Sequence, residues 1–153
     1  MTIISQLNAR WKTVLIVDDD PFLTEYVELT LTKWSYRAKV AHGGMEGLAA
    51  ARKHLPDCIL LDLAMPDVDG FAFLEHRKKI IDIADIPVIV LSANHRGADV
   101  QRALMLGAKG YVTKPVDEDA LFRRLERVVP NPLYSPPQKT DVVWGKTAPK
   151  TLI

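Results

Sequence analysis

The chain has 153 residues, a formal net charge of +1 and a single cysteine. That length is about one domain and buries roughly two-thirds of its unfolded surface, enough for a core without disulfides. The near-neutral charge gives no case for direct nucleic-acid binding, Cys58 alone excludes an intrachain disulfide framework and fits a reducing compartment, and no apolar run reaches the ~18 residues of a membrane span. The N-terminus lacks a signal-peptide core and the four histidines show no metal-ligand spacing, so a cytoplasmic, non-membrane chain is expected.

Residues 13–17 read as a continuous apolar strand, of the kind buried on both faces. Asp20-Pro21 then supplies a helix cap and a first-turn proline. Phe22, Leu23, Tyr26, Val27, Leu31 and Trp34 recur at helical spacing. Tyr36 to Ala41 is a second strand. Gly43-Gly44 punctuates it, and Met45, Leu48, Ala49 and Arg52 carry a helix to His54. Leu55-Pro56-Asp57 turns into a third strand, 58–61, where Cys58 is expected as a buried thiol. Ala64 to Gly70 is a loop broken by Pro66 and Gly70, and Phe71, Leu74 and Ile80 mark a third helix. A fourth strand spans 88–91. A fourth helix, around 97–106, is closed by Gly107, and a last strand covers 109–113. Asp117 to Val129 is an amphipathic helix with Leu121, Phe122, Leu125, Val128 and Val129 on one face.

Five strands alternating with five helices predict an α/β fold, a parallel sheet covered on both faces. The expected domain runs over 12–129, behind an N-terminal extension at 1–11. From Pro130 prolines recur and periodicity is lost, so 130–153 reads as a Pro-rich flexible tail or linker, with Val142-Val143-Trp144 as its apolar knot.

Chemistry collects at the strand ends. The first strand ends in Asp18-Asp19-Asp20, the third in Asp62, the fourth in Ser92, and the last in Lys114-Pro115. In an open parallel sheet, ligands bind beyond the carboxyl ends of the strands, so these groups should meet in one polar cavity. Asp18, Asp19 and Asp62 would crowd three negative charges together, and like charges oppose ionisation, so the cavity calls for a cation. Mg²⁺ suits it, since it takes oxygen ligands and binds through one or two carboxylates plus phosphate.

Val14 to Pro21, Leu60 to Gly70, Val88 to Ala93 and Gly107 to Pro115 together resemble the receiver domain of two-component response regulators, over about residues 12–129. The resemblance implies a flavodoxin-like (βα)5 three-layer sandwich with strand order 2-1-3-4-5. It implies that a sensor histidine kinase or histidine phosphotransfer protein phosphorylates Asp62. Asp19, Asp62 and the Ala64 backbone carbonyl would bind Mg²⁺ directly, and Asp18 through water. Ser92 and Lys114 would hold the phosphoryl group, and Tyr111 would rotate inward as a switch. Ala64 and Asn94 occupy the positions that flank the hydrolytic water and tune dephosphorylation. Such a chain is no enzyme beyond its own phosphorylation and slow self-dephosphorylation. Its output would pass through the face of the fourth helix, fifth strand and fifth helix, to a downstream protein or a phosphorylation-dependent second copy. Arg102, Met105, Lys109 and Arg123 are expected to share that face.

Other readings compete. Asp67-Val68-Asp69-Gly70 resembles the start of a haloacid-dehalogenase-type phosphatase site. That motif should follow directly on an apolar strand and run into a hydroxyl residue, whereas here it sits between Met65-Pro66 and Phe71. The EF-hand ligand ladder and the GxGxxG and Walker loops are absent. A phosphorylation-independent pseudo-receiver is opposed by the complete acidic set. Arg102, Arg123, Arg124 and Arg127 read as a solvated helical face or as a docking surface for an acidic partner.

Overall fold

Apolar runs at 14–17, 58–61 and 88–91 lie side by side at the centre of one parallel sheet. In the computed structural model, which describes Ile3 and residues 11–137, the strands are β1 (Thr13–Val17), β2 (Arg37–Ala41), β3 (Cys58–Asp62), β4 (Val88–Ser92) and β5 (Gly110–Thr113). They alternate with α1 (Pro21–Lys33), α2 (Gly44–His54), α3 (Gly70–Lys78), α4 (Gly97–Met105) and α5 (Glu118–Val128). The sheet order is β2-β1-β3-β4-β5, as expected for the flavodoxin-like fold. The rest of the N-terminal extension and residues 138–153, including Val142-Val143-Trp144, lie outside the described residues.

Side chains of a strand alternate between faces, and this sorts the core into two layers. Val14, Ile16, Cys58, Leu60, Ile89 and Leu91 meet Val27 and Leu31 of α1 and Leu121 and Leu125 of α5. Leu15, Val17, Ile59, Leu61, Val88 and Val90 meet Leu48 of α2, Phe73 and Leu74 of α3 and Ala103 of α4. Every residue of β3 and β4 is buried, while the edge strand β2 leaves Arg37 and Lys39 exposed. Cys58 is fully buried, and burial pushes its thiol up to about 12.

The helix ends follow from local chemistry. The Asp20 carboxylate accepts the N–H groups of Phe22 and Leu23 ahead of Pro21. Gly107 adopts φ +100°, and the N–H groups of Gly107 and Ala108 reach back to the Leu104 and Ala103 carbonyls, a Schellman closure of α4. Arg77, 4% exposed, donates from Nη1 to the carbonyls of Ala84 and Ile86 and so ties down the α3–β4 connection.

The α1–α5 side is bound together beyond its apolar contacts. Glu118 takes Lys33 Nζ at 2.6 Å and the Tyr26 hydroxyl at 3.2 Å. The buried Tyr36 hydroxyl donates to the Val129 carbonyl at 2.7 Å, and its burial raises the phenol to about 12. The chain goes on packing past that point. Asn131 Nδ2 donates to the Trp34 and Ser35 carbonyls, and Tyr134 stacks edge-on against Phe122, which stacks on Trp34. Among the described residues no helix is long and apolar enough to cross a membrane.

Candidate functional site

The site grows out of the ends of β1, β3, β4 and β5. The Asp18 N–H bonds to the Ala41 carbonyl, which carries the β1–β2 pairing one residue past β1 and leaves Asp18 1% exposed. The chain then turns sharply, with the Asp20 N–H donating to Asp18 Oδ1, and Asp19 emerges at the rim, exposed. Asp62 is the last residue of β3 and is 5% exposed. The Lys114 N–H bonds to the Ser92 carbonyl, which extends β5 along β4 and brings the lysine over the acids.

The five strand-end groups anticipated from the sequence are thus placed on one edge. One carboxylate oxygen from each of Asp18, Asp19 and Asp62 lies within 4.8 Å of the others. Lys114 Nζ sits 2.7 Å from Asp18 Oδ2 and 3.5 Å from Asp62 Oδ1. Burial and the neighbouring Asp18 charge raise the Asp62 carboxyl above the usual range, with Lys114 and the Ala64 N–H opposing. Burial alone would lower Lys114, but its hydrogen bond to Asp18 and the charges of Asp18 and Asp62 outweigh that and raise it. Hard oxygen donors carrying an excess of negative charge fit a small divalent cation.

The loop beyond Asp62 depends on one glycine. A Cβ at Gly70 would lie 2.5 Å from the Asp62 carbonyl oxygen and 2.6 Å from Leu63 Cα, so only glycine lets α3 start this close to the acidic pocket. The Asp67-Val68-Asp69 run before it is structural. Asp67 accepts the N–H groups of Gly44 and Met45 at the start of α2, and these bonds hold its carboxyl below the usual range. Asp69 caps α3 by accepting the Ala72 N–H at 2.8 Å. The phosphatase-like motif therefore resolves into two helix caps. His42, which sequence reasoning passed over, places Nδ1 3.3 Å from the Asp18 carbonyl at the end of β2.

Ser92 is buried, and its Oγ accepts the Asn94 N–H at 3.1 Å. Tyr111 is turned inward: its ring packs on the apolar layer beneath α3 and α4, and its hydroxyl donates to the Asn94 carbonyl. The Asn94 side chain turns toward α4, where it meets Asp99 and Arg96. Ala64, with an apolar side chain, is exposed.

The four residues expected to share an output face are all exposed and have different neighbours. Arg102 lies over the Phe71 ring of α3 at 4.2 Å, Met105 is 82% exposed, and Lys109 lines a cavity with Arg77 and Lys78. Arg123 alone of the four lines a groove of about 370 Å³ beside Tyr111, together with Arg124, Arg127 and Asp117. The fourth helix turns Arg102 toward α3, a rotation that sequence spacing alone did not fix.

This is a doubly wound domain with two buried carboxylates, an exposed third, a hydroxyl and an ammonium at one edge of its sheet, a donor set compatible with a divalent cation. The family model for the response regulator receiver domain matches residues 14–126, and the chain belongs to that family, the receiver domains of two-component signalling. It is 36% identical to protein PilH of Pseudomonas aeruginosa, over 76% of this chain and 96% of PilH. It is 34% identical to the DNA-binding dual master transcriptional regulator RpaA of Synechocystis, over 88% of this chain but only 63% of RpaA. The chemotaxis protein CheY4 of Vibrio cholerae superposes with a TM-score of 0.74 at 30% identity, covering 78% of this chain and 99% of CheY4. The dehalogenase-type and pseudo-receiver readings are not favoured.

Proposed function

We propose that this receiver takes a phosphoryl group on Asp62 from a sensor histidine kinase or histidine phosphotransfer protein. The observation that carries the reading is the convergence of three carboxylates within 4.8 Å beneath a lysine that contacts two of them. Asp62 Oδ1 is occupied by the Ala64 N–H and Lys114, and Oδ2 makes no hydrogen bond among the described residues. Oδ2 is therefore the attacking atom: it bonds to phosphorus as the donor's phosphorus–nitrogen bond breaks and the histidine leaves. Lys114 Nζ moves from Asp62 to a phosphoryl oxygen while keeping Asp18, and Ser92 donates its hydroxyl proton to another.

Mg²⁺ fits the acidic donor set: Asp19, Asp62 and the Ala64 carbonyl would hold it directly and Asp18 through water. When bound, the ion neutralises charge on the transferring phosphoryl oxygens. The signal leaves through the α4–β5–α5 face, where Tyr111 and the arginines of α5 meet, to a downstream protein or a second copy of the domain. The test is phosphorylation with acetyl phosphate and Mg²⁺, followed by mass-spectrometric mapping. The modification should fall on Asp62 and vanish in Asp62→Asn; equal labelling of that variant would sink the assignment.

A further inference from the structure

α4 begins without a cap of its own. Arg96 is its N-cap residue and makes no side-chain cap bond. The Arg96 N–H is instead taken by Asn94 Oδ1 at 3.0 Å, while Asn94 Nδ2 donates to Asp99 Oδ2 in the first turn. In an ordinary capping box an acid at that third helical position takes the N-cap N–H directly. Here Asn94 stands between the two, and the box is closed through a third residue.

The backbone of the same residue faces the other way. The Asn94 N–H donates to Ser92 Oγ, and its carbonyl accepts the Tyr111 hydroxyl. One residue therefore joins the buried serine hydroxyl, the inward tyrosine and the start of α4. That helix is otherwise lightly held, with Ala103 its one buried residue.

We propose that Asp99 is a positioning residue, which locks the Asn94 amide onto α4 so that a shift at Ser92 reaches the helix and Tyr111 together. This rests on the reading of Asp62 and Ser92 as the phosphoryl site. When the Ser92 hydroxyl turns to a phosphoryl oxygen, its acceptor geometry toward the Asn94 N–H changes. Asn94 then carries that change to the Arg96 N–H and to the tyrosine. Without Asp99 the amide keeps only its bond to the Arg96 N–H, its orientation is no longer fixed, and the helix start is uncoupled.

The test uses the full chain with beryllofluoride and Mg²⁺ as a stable phosphoryl mimic. Occupancy is read by fluorine NMR and backbone motion by amide hydrogen exchange. Without the mimic, Asp99→Ala should speed exchange at Arg96, Asp99 and Val100 about fivefold through the lost cap, and Asp99→Asn, which keeps an acceptor oxygen, should not. With the mimic bound, wild type and Asp99→Asn should change exchange across residues 97–105, and Asp99→Ala should not. An Asp99→Ala variant that matches wild type in either condition overturns the proposal, as does failure of Asp99→Asn to rescue. Bound beryllofluoride that leaves α4 unchanged in wild type overturns the relay alone. A wild type that never binds it refutes the phosphoryl-site reading and the relay with it.

Discussion

Replacing the Asp62 carboxylate with an amide should make the metal-free protein more stable, the opposite of what most changes at a buried polar site do. Asp18 and Asp62 approach within 4.8 Å, and at an effective dielectric of 20 that repulsion is about 3–4 kcal/mol. Lys114, 3.5 Å from Asp62, returns about 5 kcal/mol on the same scale. Asp19 is open to water and adds about 1 kcal/mol of repulsion. The pair terms nearly cancel, so the desolvation of a carboxylate 5% exposed decides the sign. Asp62→Asn keeps the shape and leaves Lys114 its 2.7 Å partner Asp18. A gain of about 1–3 kcal/mol is expected, or roughly 4 °C in Tm per kcal/mol.

The pH dependence gives a second handle. The Asp62 carboxyl is raised in the folded state, so the folded protein holds this proton more tightly than the unfolded chain does. Its destabilising effect is complete above the raised folded value and disappears as pH falls through that value toward the ordinary carboxylate range. The stability gap between variant and wild type should therefore be widest near neutrality and close on acidification. Urea denaturation in EDTA at a series of pH values measures it. Mg²⁺ should then stabilise wild type more than the variant, because it binds the folded acidic cluster. An Asp62→Asn protein no more stable than wild type at neutral pH in EDTA, or a gap that widens in acid, would refute the reasoning.

Further outcomes follow from individual contacts. Asp19→Ala should remove Mg²⁺ binding and phosphorylation together by calorimetry and labelling, whereas Asp20→Ala should lower stability by about 1 kcal/mol through loss of the α1 cap and leave metal affinity intact. Gly70→Ala should lower stability by about 3 kcal/mol, because its Cβ meets the backbone of Asp62 and Leu63, and phosphorylation should slow as the acceptor loop shifts; unchanged thermal unfolding would contradict the close approach. Ala64→Asn should shorten the lifetime of the acyl phosphate, since the native alanine has no polar group to orient water and the Asn94 amide is engaged at α4. A lifetime equal to or longer than wild type would rule out that role for position 64.

The layers of the fold were legible because strand side chains alternate. Once residues 14–17 are a strand, Val14 and Leu15 must face opposite ways, and they do. The acidic edge was legible because parallel strands put their carboxyl ends on one side. Longer-range features were not. Asp67 caps a helix that starts at Gly44, a pairing no local spacing announces, and so the role of its run stayed hidden even though its flanks already spoke against the phosphatase motif it resembles. The contact of Arg102 was not legible either, because helix spacing fixes neighbours along α4 but not the packing of Arg102 over the Phe71 ring of α3. Asn131 and Tyr134 lie among prolines without periodicity, yet one satisfies two backbone carbonyls and the other completes an aromatic stack. The relay through Asn94 needs four partners from three elements.

The bracing of α1 against α5 gives the domain a stator and a rotor. Glu118 grips two residues of α1, and Asn131 locks the turn that follows it. Three rings stack between these anchors. Across the sheet, α4 carries one buried side chain. Local opening is easiest where buried contacts are fewest, so α4 is expected to open more readily than the braced α1. A displacement at the acidic edge would therefore meet less resistance through α4 than through the braced α1–α5 half.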